Sequence, residues 1–426
     1  MKKKILQILP AALLITGVMQ TGHAQIVSGV SFLKGKWIEL AVSDCGTYAS
    51  GGAGMIVAAP ATYHENTIDG SLSFCNDVTA DGWDIGVPDQ CGDFIMPGSP
   101  EEGFAIQIGT GPVYGNLQPY CYRFGAFVAA APDFVGTNLT NVNGGSIRKT
   151  LWQGTNTGIG LAVSQTTYWL NSKQSYITIV DLCNGGDDMF DVYYARNADP
   201  DNDQITSGTF NTNNNAKKQY ATAGYSQVTA TSTVGSPCYM AYVSNDSRAK
   251  VSRGNFSMGS PSDIWNGLSG YIQTPGAVNA DAAIQISFKI DTLLHNDCGC
   301  FTYSTMLTSA GLTDQLALTG TACATLGTLA RYGEDMIDGY LNDPTNFLKN
   351  EMVVYPSPSN GNFTVNIFEM EHANITVVNA VGQVVYQVND VSKIAGITLD
   401  NPVPGMYFVN AEYGEGKKIT RSLVIE

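Results

Sequence analysis

The sequence is poor in positive charge: 22 Lys and Arg stand against 37 Asp and Glu in 426 residues, a formal net charge of −15 at pH 7. A polyanion is repelled by such a chain, so nucleic acid is excluded as a partner. Charged residues of both signs amount to only 14%, which leaves little material for charged helix faces and favours turns and short strands. Histidine is scarce at four residues, and only His64 and His295 lie between residues 25 and 349. The sequence has no Gly-x-Ser-x-Gly elbow, no His-Glu-x-x-His helix, and no Walker or dinucleotide glycine pattern in strand–turn–helix context. Motif-based nucleophilic or zinc chemistry therefore finds no support. Beyond the N-terminus no apolar run reaches the roughly 20 residues of a membrane-spanning helix. No cysteine follows Cys323, so the C-terminal part must be stable through its core alone.

The chain opens with Lys2, Lys3 and Lys4, an apolar stretch over 5–18 interrupted by Pro10, and small residues at Gly22 and Ala24. This is the three-part pattern of a secretory signal peptide over residues 1–24. Export places the nine cysteines in an oxidising compartment, where disulfides are the leading expectation. An odd count leaves at least one outside intrachain pairing, and spacing does not give the connectivity. Cys298 and Cys300 could instead hold a metal, but no second cluster or nearby His pair supports that.

The fold class is all-β. Residues 25–304 read as short apolar or alternating runs between Gly, Pro, Asn and Asp, a large β-sandwich body. The run 283–290 alternates cleanly, with Ile284, Ile286, Phe288 and Ile290 on one face. Residues 305–349 carry leucines at three- and four-residue steps, as two short helices broken near Gly320 or as an irregular connector. Residues 350–426 hold seven strand-like runs separated by turn residues, a small immunoglobulin-like sandwich.

Three pieces of this last segment recur in order: Val354-Tyr-Pro-Ser-Pro358 with Gly361-Asn-Phe363, then Ile375-Thr-Val-Val-Asn-Ala-Val-Gly382, then Pro404-Gly-Met-Tyr-Phe-Val409 with 418–425. On these the segment 352–426 resembles the type A C-terminal sorting domain of the type IX secretion system of Bacteroidetes, with Ser357 where the family usually has Asn. The resemblance implies passage of the inner membrane under the signal peptide and recognition of the C-terminal module by the secretion machinery at the outer membrane. It also implies a surface sortase that often removes the module and attaches the cargo to lipopolysaccharide. The body resembles a β-sandwich domain of secreted, adhesin-like bacterial proteins through Gly35-Lys-Trp-Ile-Glu39, Gly92-Asp-Phe-Ile-Met-Pro-Gly98, Glu101-Glu-Gly103, residues 193–201 and Asp281-Ala-Ala-Ile284. That likeness implies architecture, not chemistry.

Two acidic groups are candidate sites. Asp199, Asp201 and Asp203 alternate as the start of a calcium loop requires, with Asp187, Asp188 and Asp191 upstream. Gln204 and Phe210 stand where an EF-hand needs Gly and Glu, so the loop is not an EF-hand, and a turn capped by Asp side chains is the alternative. Asp77, Asp81, Asp84 and Asp89 between Cys75 and Cys91, with Asp93 just beyond, surround Trp83. They are read as a sugar platform, as the paired carboxylates of a glycosidase, or as an acidic disulfide-closed loop. Trp37, Trp152, Trp169 and Trp265 are read as core. The expectation is a non-catalytic surface protein, acting as an adhesin, a carbohydrate-binding factor or a structural coat component. The alternative is a polysaccharide hydrolase using carboxylates among residues 77–93 or 187–203. A third reading is self-assembly into a fibre through the unpaired cysteine.

Overall fold

A computed structural model describes residues 25–426 apart from 53–54, 65–71, 81, 84–89, 92–101, 118–120, 124–130, 203–207, 236, 255–257, 330–333, 348, 350 and 369. The signal-peptide reading of residues 1–24 lies outside the described residues.

Two antiparallel sheets form the body. The larger has nine strands in the spatial order Val135–Gly144, Ile147–Asn156, Leu161–Leu170, Ser175–Asn184, Cys298–Met306, Tyr239–Ser244, Ser226–Thr231, Thr212–Lys218 and Val278–Ala280. The smaller has six, in the order Tyr122–Arg123, Val113–Leu117, Gly103–Ile108, Met189–Ala198, Ala283–Leu293 and Ala249–Gly254. Their facing side chains make one core, in which Phe288 of the smaller sheet stacks on Phe301 of the larger with ring centres 4.3 Å apart. Ile284, Ile286, Phe288 and Ile290 all enter it, as their alternation requires. The intervening Gln285 and Ser287 are buried too. Gln285 is satisfied there by Asn197 at 2.8 Å and Ser252 at 2.9 Å. A five-stranded sheet of Gln25–Val27, Val30–Lys34, Ile38–Ser43, Phe74–Asp77 and Gln90–Cys91 completes the body.

A buried charge pair joins these sheets. Arg196 of the six-stranded sheet donates through Nε to Glu102 at 2.5 Å and through Nη1 to Gln165 of the nine-stranded sheet at 2.8 Å and to the Gly46 carbonyl at 3.1 Å. Glu102 also accepts the Tyr48 backbone N–H at 2.6 Å, and the Tyr48 hydroxyl bonds Thr167 and Thr178. Glu102, Arg196 and Tyr48 are all fully buried.

Helix Leu312–Leu329 runs through Gly320 rather than breaking there. The Asn245 side chain lies 3.1 Å from where a β-carbon on Gly320 would stand, so the glycine serves close approach. Leu318, Ala322, Leu326 and Leu329, with Ile337 and Tyr340 of helix Glu334–Asn342, cover Tyr168, Ile177 and Ile179 on the outer face of the nine-stranded sheet. The disulfide Cys300–Cys323 staples the helix to that sheet.

The remaining disulfides are Cys45–Cys121, Cys91–Cys238 and Cys183–Cys298. They correct the disulfide-closed loop expected between Cys75 and Cys91: Cys91 reaches across the body to Cys238, and Cys75 is buried outside the four bridges. Cys298 and Cys300 enter different disulfides and are not a metal pair.

The C-terminal unit pairs a three-stranded sheet (Val353–Tyr355, Asn362–Asn366, Ile394–Thr398) with a four-stranded one (Val384–Val391, Ala373–Asn379, Gly405–Tyr413, Lys417–Ile425). The seven expected strands are present. Phe363, Val365, Ile375, Val377, Val409 and Leu423 fill a core of their own.

Truncating one partner of a buried ion pair strands the other charge, at a cost of about 3–5 kcal/mol. Glu102→Ala is therefore expected to lower the unfolding free energy of the body by that much in urea denaturation, while Glu102→Met with Arg196→Met, which leaves no stranded charge, recovers most of the loss. A single variant as stable as the wild type in urea unfolding would contradict this role.

Candidate functional site

Strands Met189–Ala198 and Ala283–Leu293 are antiparallel neighbours with Ala198 opposite Ile284. The chain leaving the first and the chain entering the second therefore lie side by side. This brings Asp199 and Asp201 to Asp281, and one carboxylate oxygen of each lies within 4.8 Å of the others. Asp199 and Asp201 are buried, Asp281 is exposed, and partial desolvation pushes the Asp281 carboxyl up. Asn202, also buried, pins the loop by donating to the Ala230 carbonyl at 3.0 Å. Asp203 lies outside the described residues. Asp281 was not named as a ligand from sequence. Its signal was the alternating strand that follows it, whose pairing register places the residue.

The spacing suits a hard cation. Oxygens bound to one calcium at about 2.3–2.6 Å are at most about 5 Å apart. Glycosidase carboxyl pairs are wider, about 5–5.5 Å for retention and about 6.5–9.5 Å for inversion. Three of the other acidic residues are engaged locally. Asp77 accepts the Ala80 and Gly82 backbone N–H groups and the Thr79 hydroxyl, capping its own turn. Asp188 accepts the His295 backbone N–H, and Asp191 pairs with Lys289 at 2.7 Å. Asp187 is exposed. Asp81, Asp84, Asp89 and Asp93 lie outside the described residues.

Trp83 sits in a different constellation from the sugar platform considered for it. Its ring stacks on His64 with centres 4.7 Å apart, and its indole N–H donates to the Gly35 carbonyl at 3.1 Å. His64 Nδ1 faces the fully buried Glu39 carboxylate at 3.0 Å, and Nε2 faces the Trp83 carbonyl at 3.2 Å. Both neighbours only accept, so the doubly protonated ring satisfies both contacts. Lys34 completes the group with its ammonium 2.5 Å from Glu39. Trp152 and Trp169 are core, as expected, and Trp265 is half-buried with its N–H donated to the Arg248 carbonyl.

The hydrogen bond to Glu39, ahead of burial, which opposes it, raises the His64 pKa above its ordinary value. A group with a raised folded-state pKa contributes stability that is fully present below its unfolded pKa and is lost as pH rises through the folded pKa. His64→Gln is expected to lower the melting temperature most near about pH 5, below the ordinary His pKa of about 6.5. The gap between the proteins should close toward alkaline pH. A difference independent of pH would rule out a charged His64.

Taken together, these features define a disulfide-bonded β-sandwich protein, of the kind that matures outside the cytoplasm, ending in a self-contained seven-stranded sandwich. That sandwich is identified more closely by comparison: residues 353–426 match the family described as the secretion system C-terminal sorting domain. The C-terminal unit is a type IX sorting domain, and it marks the chain for secretion to or beyond the cell surface. No described helix is long and apolar enough to cross a membrane.

A comparison with curated proteins finds no match. Among solved structures, a bacterial glucoamylase complexed with acarbose is similar at 10% identity and a TM-score of 0.33, covering 59% of this chain and 32% of the other. A glycoside hydrolase family 36 α-galactosidase from Geobacillus stearothermophilus is similar at 8% identity and a TM-score of 0.31, covering 70% and 42%. PorZ, a surface component of the type IX secretion system of Porphyromonas gingivalis, is similar at 10% identity and a TM-score of 0.17, covering 95% and 59%. This chain spans less than two thirds of each, and at these scores the likenesses carry no argument.

Proposed function

We propose that the protein is a non-catalytic surface component. Its sorting domain delivers it, and the disulfide-stapled body makes the contact, as an adhesin or a carbohydrate-binding factor. The observation that carries this reading is the sorting domain at residues 353–426 attached to a body with its own packed core. In the proposed route residues 1–24 direct passage of the inner membrane, and the type IX machinery engages the C-terminal sandwich. A surface sortase then removes the sandwich and joins the body to lipopolysaccharide. The hydrolase reading has less support, because Asp77 is spent on its turn and the converging oxygens of Asp199, Asp201 and Asp281 suit a cation. Fibre formation loses its covalent argument with the burial of Cys75.

Calcium is the proposed resident ion, held by Asp199, Asp201 and Asp281 with backbone carbonyls completing the shell. It would fix the loop between two neighbouring strands and neutralise buried carboxylates.

Deleting residues 353–426 is expected to hold the protein in the periplasm, and fusing them to an exported reporter should carry the reporter to the surface. Cells whose surface-presented protein lacks the body should lose attachment to a glycan-coated surface. Attachment unchanged without the body, or hydrolysis of the coating by the purified chain, would overturn the adhesin reading. Calcium at a hundredfold above its Kd stabilises by about 2.7 kcal/mol, so a rise of several degrees in melting temperature is expected. Asp281→Asn should abolish it, and no rise at millimolar calcium would remove the site.

A further inference from the structure

Away from the acidic cluster, three turns at one end of the nine-stranded sheet enclose an open cavity of about 440 Å³, inside the roughly 300–1,000 Å³ range of small-molecule sites. One turn joins Ile147–Asn156 to Leu161–Leu170, one follows Ser175–Asn184, and one joins Ala283–Leu293 to Cys298–Met306. Backbone bonds hold them together: Gly185 N–H to the Gly160 carbonyl at 2.8 Å, Asn184 N–H to the Asp297 carbonyl at 2.9 Å, and Asn296 N–H to the Asn184 carbonyl at 2.7 Å. A β-carbon on Gly186 would stand 2.6 Å from the Ile159 carbonyl oxygen, so only glycine lets two of the turns meet. The Cys183–Cys298 disulfide bridges the strands below. The walls are therefore fixed in advance, which lowers the ordering cost of binding.

The lining divides by chemistry. Ala162 and its cross-strand partner Cys183 give an apolar floor, and Asn156, Asn296 and Asp297 stand at the polar rim. The Asn296 and Asp297 side chains are exposed and have no hydrogen bond or ion pair among the described residues. Asn156 spends only its carbonyl oxygen, on the Gly158 N–H at 3.0 Å. Donors and acceptors that the fold does not use thus surround an apolar surface. No lysine or arginine lines the cavity, and Asp297 gives it negative charge, so an anionic ligand is disfavoured.

We infer that this cavity binds a neutral pyranose residue of a glycan, its C–H face against Ala162 and the Cys183–Cys298 disulfide and its hydroxyls on Asn156, Asn296 and Asp297. The carboxylate accepts from adjacent hydroxyls, and the carboxamides supply both donors and acceptors. The inference rests on the reading of the body as the binding part of the protein, and names its site and ligand class.

The test uses the full mature chain on immobilised neutral, anionic and amino-sugar glycans, with melting temperature as the folding control. Asn296 has φ 66°, so Asn296→Gly removes the side chain without straining the backbone, and Asp297→Asn keeps the shape of the rim. Each is expected to weaken binding to a neutral glycan at least tenfold at unchanged melting temperature. Equal binding by wild type and both rim variants would overturn the site. Binding of anionic glycans alone, or of no glycan by a folded chain, would overturn the ligand class. Neutral-sugar binding that needs Asn296 and Asp297 in a protein that contributes nothing to cell attachment would keep this site and overturn the adhesin reading instead.

Discussion

The fully buried pair of Glu102 and Arg196 is the constraint on which the body's arrangement depends. Each charge would cost several kcal/mol in an apolar interior on its own, and the bonds that support the pair come from three parts of the body. Glu102 enters from the six-stranded sheet, Gln165 from the nine-stranded sheet, and the Gly46 carbonyl and Tyr48 N–H from the segment after strand Ile38–Ser43. A packing that slid the nine-stranded sheet or the segment after Ile38–Ser43 by a residue would strip Arg196 of Gln165 and the Gly46 carbonyl and Glu102 of the Tyr48 N–H. The apolar contacts between the sheets, such as Phe288 on Phe301, supply attraction but tolerate many alignments. The polar pair selects one.

The C-terminal sandwich solves its stability differently. It has no cysteine and, among the described residues, no buried ion pair of this kind, and its core is aliphatic with Phe363 and Tyr407. That self-sufficiency suits a module whose work is delivery, since a unit that carries its own core can be joined to bodies of unrelated sequence. The body, by contrast, is held by four disulfides and a buried ion pair.

Much of this was legible in the sequence, and the reason differs from element to element. The alternation over residues 283–290 located a strand and its inward face because period-two burial is written locally. The seven strands and ordered motifs of residues 352–426 were legible for the same reason, with Pro and Gly marking the turns. Helix Leu312–Leu329 was blurred because Gly320 looks like a breaker until Asn245 is seen against it. The cysteine pairing was illegible because Cys91 and Cys238 are 147 residues apart and meet only through the tertiary fold. The candidate sites failed on the same count. Asp199 and Asp201 could be named, but Asp281 joins them by strand register alone. His64 looked isolated because Glu39 stands 25 positions away, and the cavity beside Cys183 is assembled from three turns with no motif between them.

The bridges Cys91–Cys238 and Cys183–Cys298 span 147 and 115 residues, and they bear on how the protein can leave the cell. Once they close, the polypeptide is no longer a thread. A narrow pore that draws a chain through end first would meet loops it could not straighten. A body closed by these bridges before it is exported would have to leave as a finished object, through a conduit wide enough for a whole sandwich, with the terminal module as a handle on cargo whose shape is already set.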